Sequence, residues 1–163
     1  MKQTQRIPER IISLDEAVLQ SRRWRLKSKT IAFTNGVFDI LHAGHIAVLS
    51  QAAAQADMLI VGINSDASVK RLKGDDRPVK KEDERALIMA SLLMVDAVVI
   101  FDEDTPLEVI KKIEPDVLVK GGDYSEDTIV GAKEVRAKGG NVVVIPLEEG
   151  YSTTALINKI RTK

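Results

Sequence analysis

The chain has 163 residues and no cysteine. Disulfides, thiolate zinc sites and cysteine nucleophiles are therefore excluded. It has no net charge either, with 24 Lys plus Arg against 24 Asp plus Glu. Nothing in that balance favours nucleic acid or an anionic membrane surface as the main partner, though local basic clusters can still bind a small anion. The longest apolar runs, such as "VDAVVIF", are far too short to span a bilayer. The opening "MKQTQRIPER" is polar and shows no secretory signal. These absences lead to an expectation of a cytoplasmic, soluble protein. Three catalytic or nucleotide motifs are missing as well: G-x-x-x-x-G-K-[ST], G-x-G-x-x-G after a strand, and G-x-S-x-G. An ordinary phosphate-loop enzyme and a typical dinucleotide dehydrogenase are thus set aside.

Apolar residues make up 44% of the chain and charged residues 29%, ordinary for a globular domain with a proper core. Residues 1–28 form an N-terminal segment whose "IISLDEAVLQSRRWRLK" reads as an amphipathic helix packed on the domain, capped by Ser13 or Asp15. From residue 29 to 163 the pattern alternates. "KTIAFTNG", "DMLIVGINS", "DAVVIF", "PDVLVKGG" and "NVVVIPL" read as buried strands. "HIAVLSQAAAQA", "ERALIMASLLMV", "TPLEVIKKI", "DTIVGAKEVRAKGG" and "GYSTTALINKIR" read as helices. "KRLKGDDRPVKKED" is expected to be a charged loop, broken by Gly74 and Pro78. Strands without clean alternation, separated by helices, predict a doubly wound, Rossmann-like α/β domain with a parallel five-stranded sheet and helices on both faces. Ligands of such sheets bind beyond the carboxyl ends of the strands.

Polar and flexible residues recur at those ends. Thr34, Asn35, Gly36, Phe38 and Asp39 follow the first strand, and Lys120, Gly121 and Asp123 follow the fourth. Both histidines of the chain, His42 and His45, flank Gly44 at the start of a helix. Two imidazoles beside free N–H groups and a positive dipole end suit an anion, phosphate above all, and Gly44 leaves room for it to approach. Metal ligation by Asp39, His42 and His45 is the competing reading. The basic residues Lys70, Arg71, Lys73, Arg77, Lys80 and Lys81 read either as a solvated loop or as a lid over a triphosphate, with Lys73 singled out. Ser152, Thr153 and Thr154 read either as helix caps or as phosphate ligands.

"GVFDILHAGH" resembles the G-x-F-D-x-x-H-x-G-H signature of the cytidylyltransferase-like nucleotidyltransferases, and "YSTT" resembles their second signature. Within that superfamily "RLKGDDRPV" and "VKGGDY" are similar to the adenylyltransferase domains of bacterial ADP-heptose synthases. The resemblance implies transfer of AMP from ATP to D-glycero-D-manno-heptose 1-phosphate, giving ADP-heptose and pyrophosphate for surface polysaccharide. It implies His42, His45 and Lys73 as catalytic residues. Thr34, Asn35, Gly36, Phe38, Gly44, Lys120, Gly121, Ser152, Thr153 and Thr154 would bind nucleotide. Asp39, Arg77, Arg85 and Asp123 would stand on the substrate side; a helix-surface ion pair for Arg85 and a turn role for Asp123 are equally open. Mg²⁺ would be carried by the triphosphate, with Asp39 the one protein ligand suggested. A homodimer is implied too, as is a stand-alone form lacking the sugar kinase domain fused to this module in many bacteria, and so dependent on a separate kinase and phosphatase. Two departures stand out. Leu147 occupies a position that is basic in glycerol-3-phosphate cytidylyltransferases, and Val37 replaces a cysteine frequent in the heptose branch. The alternatives are another phosphorylated acceptor, such as glycerol 3-phosphate, ribitol phosphate or a flavin precursor, and a non-catalytic nucleotide-binding regulator.

Overall fold

The computed structural model describes residues 6–146. Strands β1 (Ile31–Gly36), β2 (Met58–Asn64), β3 (Ala97–Phe101), β4 (Val117–Gly121) and β5 (Asn141–Ile145) form one parallel sheet in the order β3-β2-β1-β4-β5. The helices are α1 (Leu14–Arg25), α2 (Ala43–Ala53), α3 (Asp66–Lys73), α4 (Glu82–Ala90), α5 (Leu107–Ile113) and α6 (Ala132–Ala137). This is the doubly wound architecture expected. Among the described residues no helix is long and apolar enough to cross a membrane.

The chain order explains the two cores. It steps from β1 to β2 to β3 in one direction, then returns to the far side of β1 for β4 and β5. Right-handed crossovers therefore place α2 and α4 on one face and α5 and α6 on the other. Val48, Leu49 and Ala52 of α2 join Ala86 and Met89 of α4 against Val61 and Val119. Ala17 of α1, Ile110 and Ile113 of α5, and Val135 of α6 pack with Phe33, Ile60 and Leu118. Both faces of each central strand are buried, so no period-two pattern survives in the sequence.

The reversal of direction also opens the site. β1 pairs with β4 only over Ala32–Thr34 and Val117–Val119. β1 stays with β2 as far as Gly36, and β4 stays with β5 as far as Gly121. Past Thr34 and Val119 the two central strands share no ladder, which leaves a crevice at the switch point.

At the opposite edge one device is used three times. Asp57, Asp96 and Asp116 each stand immediately before a strand. Their carboxylates accept the N–H of Thr30 at 3.0 Å, Leu59 at 2.8 Å and Ile31 at 2.8 Å respectively. N–H groups entering a parallel sheet lack a ladder partner there, and an aspartate one strand over supplies it.

The N-terminal segment belongs to the same body. Ser13 and Glu16 form a capping box at the start of α1. Ile11 bridges Val98, and the Ile12 N–H donates to the Val98 carbonyl at 3.0 Å, which covers the outer edge of β3. Arg10 donates to the carbonyls of Val95 at 2.8 Å and Ala90 at 3.3 Å. Ile11 thus serves the sheet edge rather than the helix face it was expected on.

Two expectations need correction. The supposed loop from Lys70 is helical as far as Lys73. Ser65 caps α3 by accepting from the Ser68 N–H, basic residues fill its last turn, and Gly74 ends it at φ 91°. The helix expected from Asp127 begins only at Ala132, because Gly131 sits at φ 89° and the residues before it form a separate 3₁₀ turn. The expected last helix, with Ser152, Thr153 and Thr154, lies outside the described residues, as does Leu147.

Replacing Asp116 by alanine leaves the N–H of the buried Ile31 without its acceptor. It is expected to lower stability by about 1–3 kcal/mol, read as a reduced urea midpoint at unchanged slope.

Candidate active site

The turn from β1 into α2 carries the histidines. Phe38 holds a left-handed backbone at φ 47°. Its ring folds back over Gly36, where an added Cβ would lie 3.0 Å from it, so a larger residue there would have to push the ring aside by a few tenths of an ångström. The ring also meets His45 edge-on, with centroids 5.2 Å apart. His42 is the N-cap of α2, and its Nδ1 accepts the His45 N–H at 3.4 Å. The two imidazoles stack at 3.7 Å with an angle of 18° between planes. Gly44 is buried in the first helical turn between them.

This packing fixes where the protons sit. His42 Nδ1 accepts a hydrogen bond, so its neutral ring carries the proton on Nε2. Among the described residues His45 Nδ1 is buried without a hydrogen-bond partner. An orphaned N–H there would cost more than an orphaned lone pair, which assigns the His45 proton to Nε2 as well. Burial, helped by the neighbouring His42, lowers the His45 pKa to about 4. Burial alone lowers that of His42. Near neutral pH the pair consists of two uncharged N–H donors at the positive end of a helix.

Across the crevice stands Lys120. Its Nζ donates to Asn35 Oδ1 at 3.2 Å and to the Asn35 carbonyl at 3.5 Å, bridging β4 to β1 where their ladder has ended. Burial holds its pKa below the ordinary lysine value. Among the described residues no carboxylate pairs with it. The ring of Tyr124 lies 6.0 Å away, at the limit of a cation–π contact. A cleft of about 480 Å³ opens beside these residues, lined also by Gly36, Thr105 and Lys73. The exposed Lys73, at the end of α3, is thereby brought to the same place as Asn35, Gly36 and Lys120.

Other residues expected at the ligand are engaged elsewhere. The Asp39 side chain is 1% exposed and accepts from Arg77 Nε at 2.8 Å and from the Val79 and Lys80 N–H groups at 2.9 Å each. Burial works against its charge, but the Lys80 and Val79 N–H groups and the Arg77 guanidinium outweigh it, and the carboxyl lies below its usual range. Asp39 and Arg77 thus satisfy each other inside the protein. The Arg85 side chain is fully buried, neither on the surface nor in the cleft. Arg71 pairs with Asp104 at 2.7 Å. Asp123 is exposed beyond Gly122, Thr34 is buried within β1, and Gly121 packs on Val48 of α2, where a Cβ would come within 2.8 Å.

Asp39 is turned into the loop at 77–80 and does not join the imidazoles. Among the described residues no group of three His, Asp or Glu could hold a metal ion. Sequence reasoning missed the burial of Arg85, the Asp39 clasp, and Tyr124 and Thr105 in the cleft. Apart from "KGGDY", where the glycines mark a turn, those contacts link residues far apart in the chain and leave no local signal.

The chain's likeness to known proteins agrees with this fold. The family model described as cytidylyltransferase-like matches residues 33–159. A bifunctional protein HldE from Hyphomonas neptunium is 53% identical over 152 residues, which are 93% of this chain and 31% of that protein. Another from Caulobacter vibrioides is 56% identical over 139 residues, 85% of this chain and 29% of that one. The chain thus spans about a third of the length of these curated relatives. Among solved structures, a lipopolysaccharide core biosynthesis protein from Thermoplasma volcanium GSS1 superposes with a TM-score of 0.61 at 25% identity, covering 76% of this chain and 99% of that one. A pantoate-beta-alanine ligase from Francisella tularensis, complexed with beta-gamma ATP and beta-alanine, shares the fold, with a TM-score of 0.60 at 15% identity over 94% of this chain and 78% of that one.

With His45 held at about 4, its ring is expected not to titrate between pH 5.5 and 8 in the ligand-free protein when followed by proton NMR. The unfolded ring binds its proton near 6.5, so the unfolded state gains protons first on acidification. This contribution to stability is complete above pH 6.5 and is lost as pH falls toward 4. A ring that titrates near 6.5 in the native protein would contradict the assignment.

Proposed function

The chain belongs to the cytidylyltransferase-like family and is a nucleotidyltransferase, and from that premise we propose that it transfers AMP from ATP to D-glycero-D-manno-heptose 1-phosphate. The observation that carries this reading is the stacked, neutral pair His42 and His45 at the start of α2, beside a cleft lined by Lys73 and Lys120. One turn of chain, from Gly36 to Phe38, lies between an imidazole group and a lysine group. That layout suits a triphosphate whose α-phosphorus is approached by a second phosphate.

In the proposed reaction an oxygen of the sugar phosphate attacks the α-phosphorus. The new P–O bond forms as the bond to the oxygen bridging the α- and β-phosphorus breaks, and pyrophosphate leaves with that electron pair. The nucleophile is already an anion, so no proton must be removed and no covalent enzyme intermediate is needed. The protein's part is positioning and stabilisation of moving charge. His42 and His45 donate through Nε2–H to triphosphate oxygens near the leaving group. Lys73 and Lys120 neutralise charge on the cleft side, and backbone N–H groups from Asn35 to Phe38 line the turn. Ser152, Thr153 and Thr154 are assigned to the β- and γ-phosphates. When bound to the triphosphate, Mg²⁺ would supply charge neutralisation there, and no described residue of this chain is assigned to hold it.

The heptose assignment rests on the likeness to the HldE proteins and on "RLKGDDRPV" and "VKGGDY". A cytoplasmic homodimer completes the reading.

Pyrophosphate release with Mg²⁺, each anomer of heptose 1-phosphate, and ATP, GTP or CTP tests it. Release is expected with ATP and one anomer. Release only with glycerol 3-phosphate or another acceptor would reassign the substrate, and nucleotide binding without any release would point to a regulator. His42→Ala and His45→Ala are each expected to lower turnover on the order of a hundred- to a thousandfold with folding intact. Wild-type turnover in both would sink the mechanism.

A further inference from the structure

Among the described residues Arg85 heads the large side chains that are buried completely. A guanidinium shut away from water is strongly unfavourable unless its donors are met. Here Nε donates to the Lys80 carbonyl at 3.1 Å and Nη1 to the Val37 carbonyl at 2.7 Å. Nη2 donates to the Asn64 carbonyl and to Asp66 Oδ1, both at 2.8 Å. The acceptors lie on four separate segments: the turn after β1, the end of β2, the first residue of α3, and the approach to α4.

Asp39 provides the complementary set. It binds Arg77 and the N–H groups of Val79 and Lys80, and Arg85 takes the carbonyl of that same Lys80. Phe38 lies between Val37, held by Arg85, and Asp39, held by the loop. A phenylalanine in the left-handed region persists only where its surroundings over-determine it. These two buried ions are on either side of it, and its ring is the one that meets His45 edge-on.

We infer that Arg85 is a positioning residue: it fixes the left-handed Phe38 turn, and with it the His45 ring, and ties that turn to the helix ending in Lys73. The inference deepens the proposed function and rests on the reading that His45 and Lys73 serve the transfer. Arg85 itself does not touch substrate. A lysine at this position keeps the charge but cannot span four acceptors, because it lacks the planar fork.

The test compares Arg85→Lys with Arg10→Lys in the full chain. Arg10 also holds core-side carbonyls, those of Val95 and Ala90, so its loss should cost stability without reaching the turn. Thermal unfolding, kcat and KM for ATP, and the imidazole NMR signals of the ligand-free proteins are recorded. Both variants are expected to unfold earlier. Only Arg85→Lys should displace the His45 ring signals and lower kcat about 10- to 100-fold, with KM changed less than about threefold. Unmoved His45 signals with wild-type kcat in folded Arg85→Lys, or equal effects in both variants, would overturn the inference. If Arg85→Lys does not fold, Asp66→Ala reports instead: it removes one acceptor and leaves Arg85 in place, and unchanged His45 signals and kcat there overturn it equally. The NMR readout needs no acceptor, so it stands even if pyrophosphate release rejects the heptose assignment.

Discussion

The hydrogen-bond ladder between β1 and β4 stops at Thr34 and Val119, and the site follows from that stop. Had the ladder continued, the N–H and carbonyl groups of Asn35, Gly36, Lys120 and Gly121 would be spent on each other. Instead each strand follows its outer neighbour, and the gap is crossed by one side chain, Lys120, reaching Asn35. The reversal of chain direction thus yields a polar crevice, bridged by Lys120, at the ends of the two central strands.

Two kinds of positive potential meet there. The histidines contribute none as ions, since burial keeps both rings below their usual pKa. They add directed N–H groups to the dipole end of α2. Lys73 and Lys120 stand on the opposite side of the turn, where burial holds the Lys120 pKa below the ordinary lysine value. This division explains how a chain with no net charge can still be built for a polyanion: the charge is placed where it is needed, not supplied in excess.

The fold was legible because it rests on local signals. Five buried strands, the glycine after α6, the Thr-Pro before α5 and Ser13 at α1 can each be read from a few neighbouring residues. Helix α3 escaped because Val69 and Leu72 were its only large apolar residues among charges, although Ser65 and Gly74 mark its two ends. The histidine pair was legible through its spacing. Asp39 and Arg85 were not, because a charged residue in a signature looks alike whether it faces a ligand or a core. What separates the cases is a partner tens of residues away, such as Val37 for Arg85 or Val79 for Asp39.

The loop between α3 and α4 shows a consequence of that clasp. Surface loops are usually where a chain tolerates insertion best. This one is gripped near its end, where Arg77, Val79 and Lys80 meet Asp39 and Lys80 also meets Arg85. One extra residue between Gly74 and Val79 would shift those groups out of step with both buried ions. The segment from Gly74 to Lys80 is irregular in shape yet fixed in length, a spacer gauged to the distance between α3 and the β1 turn.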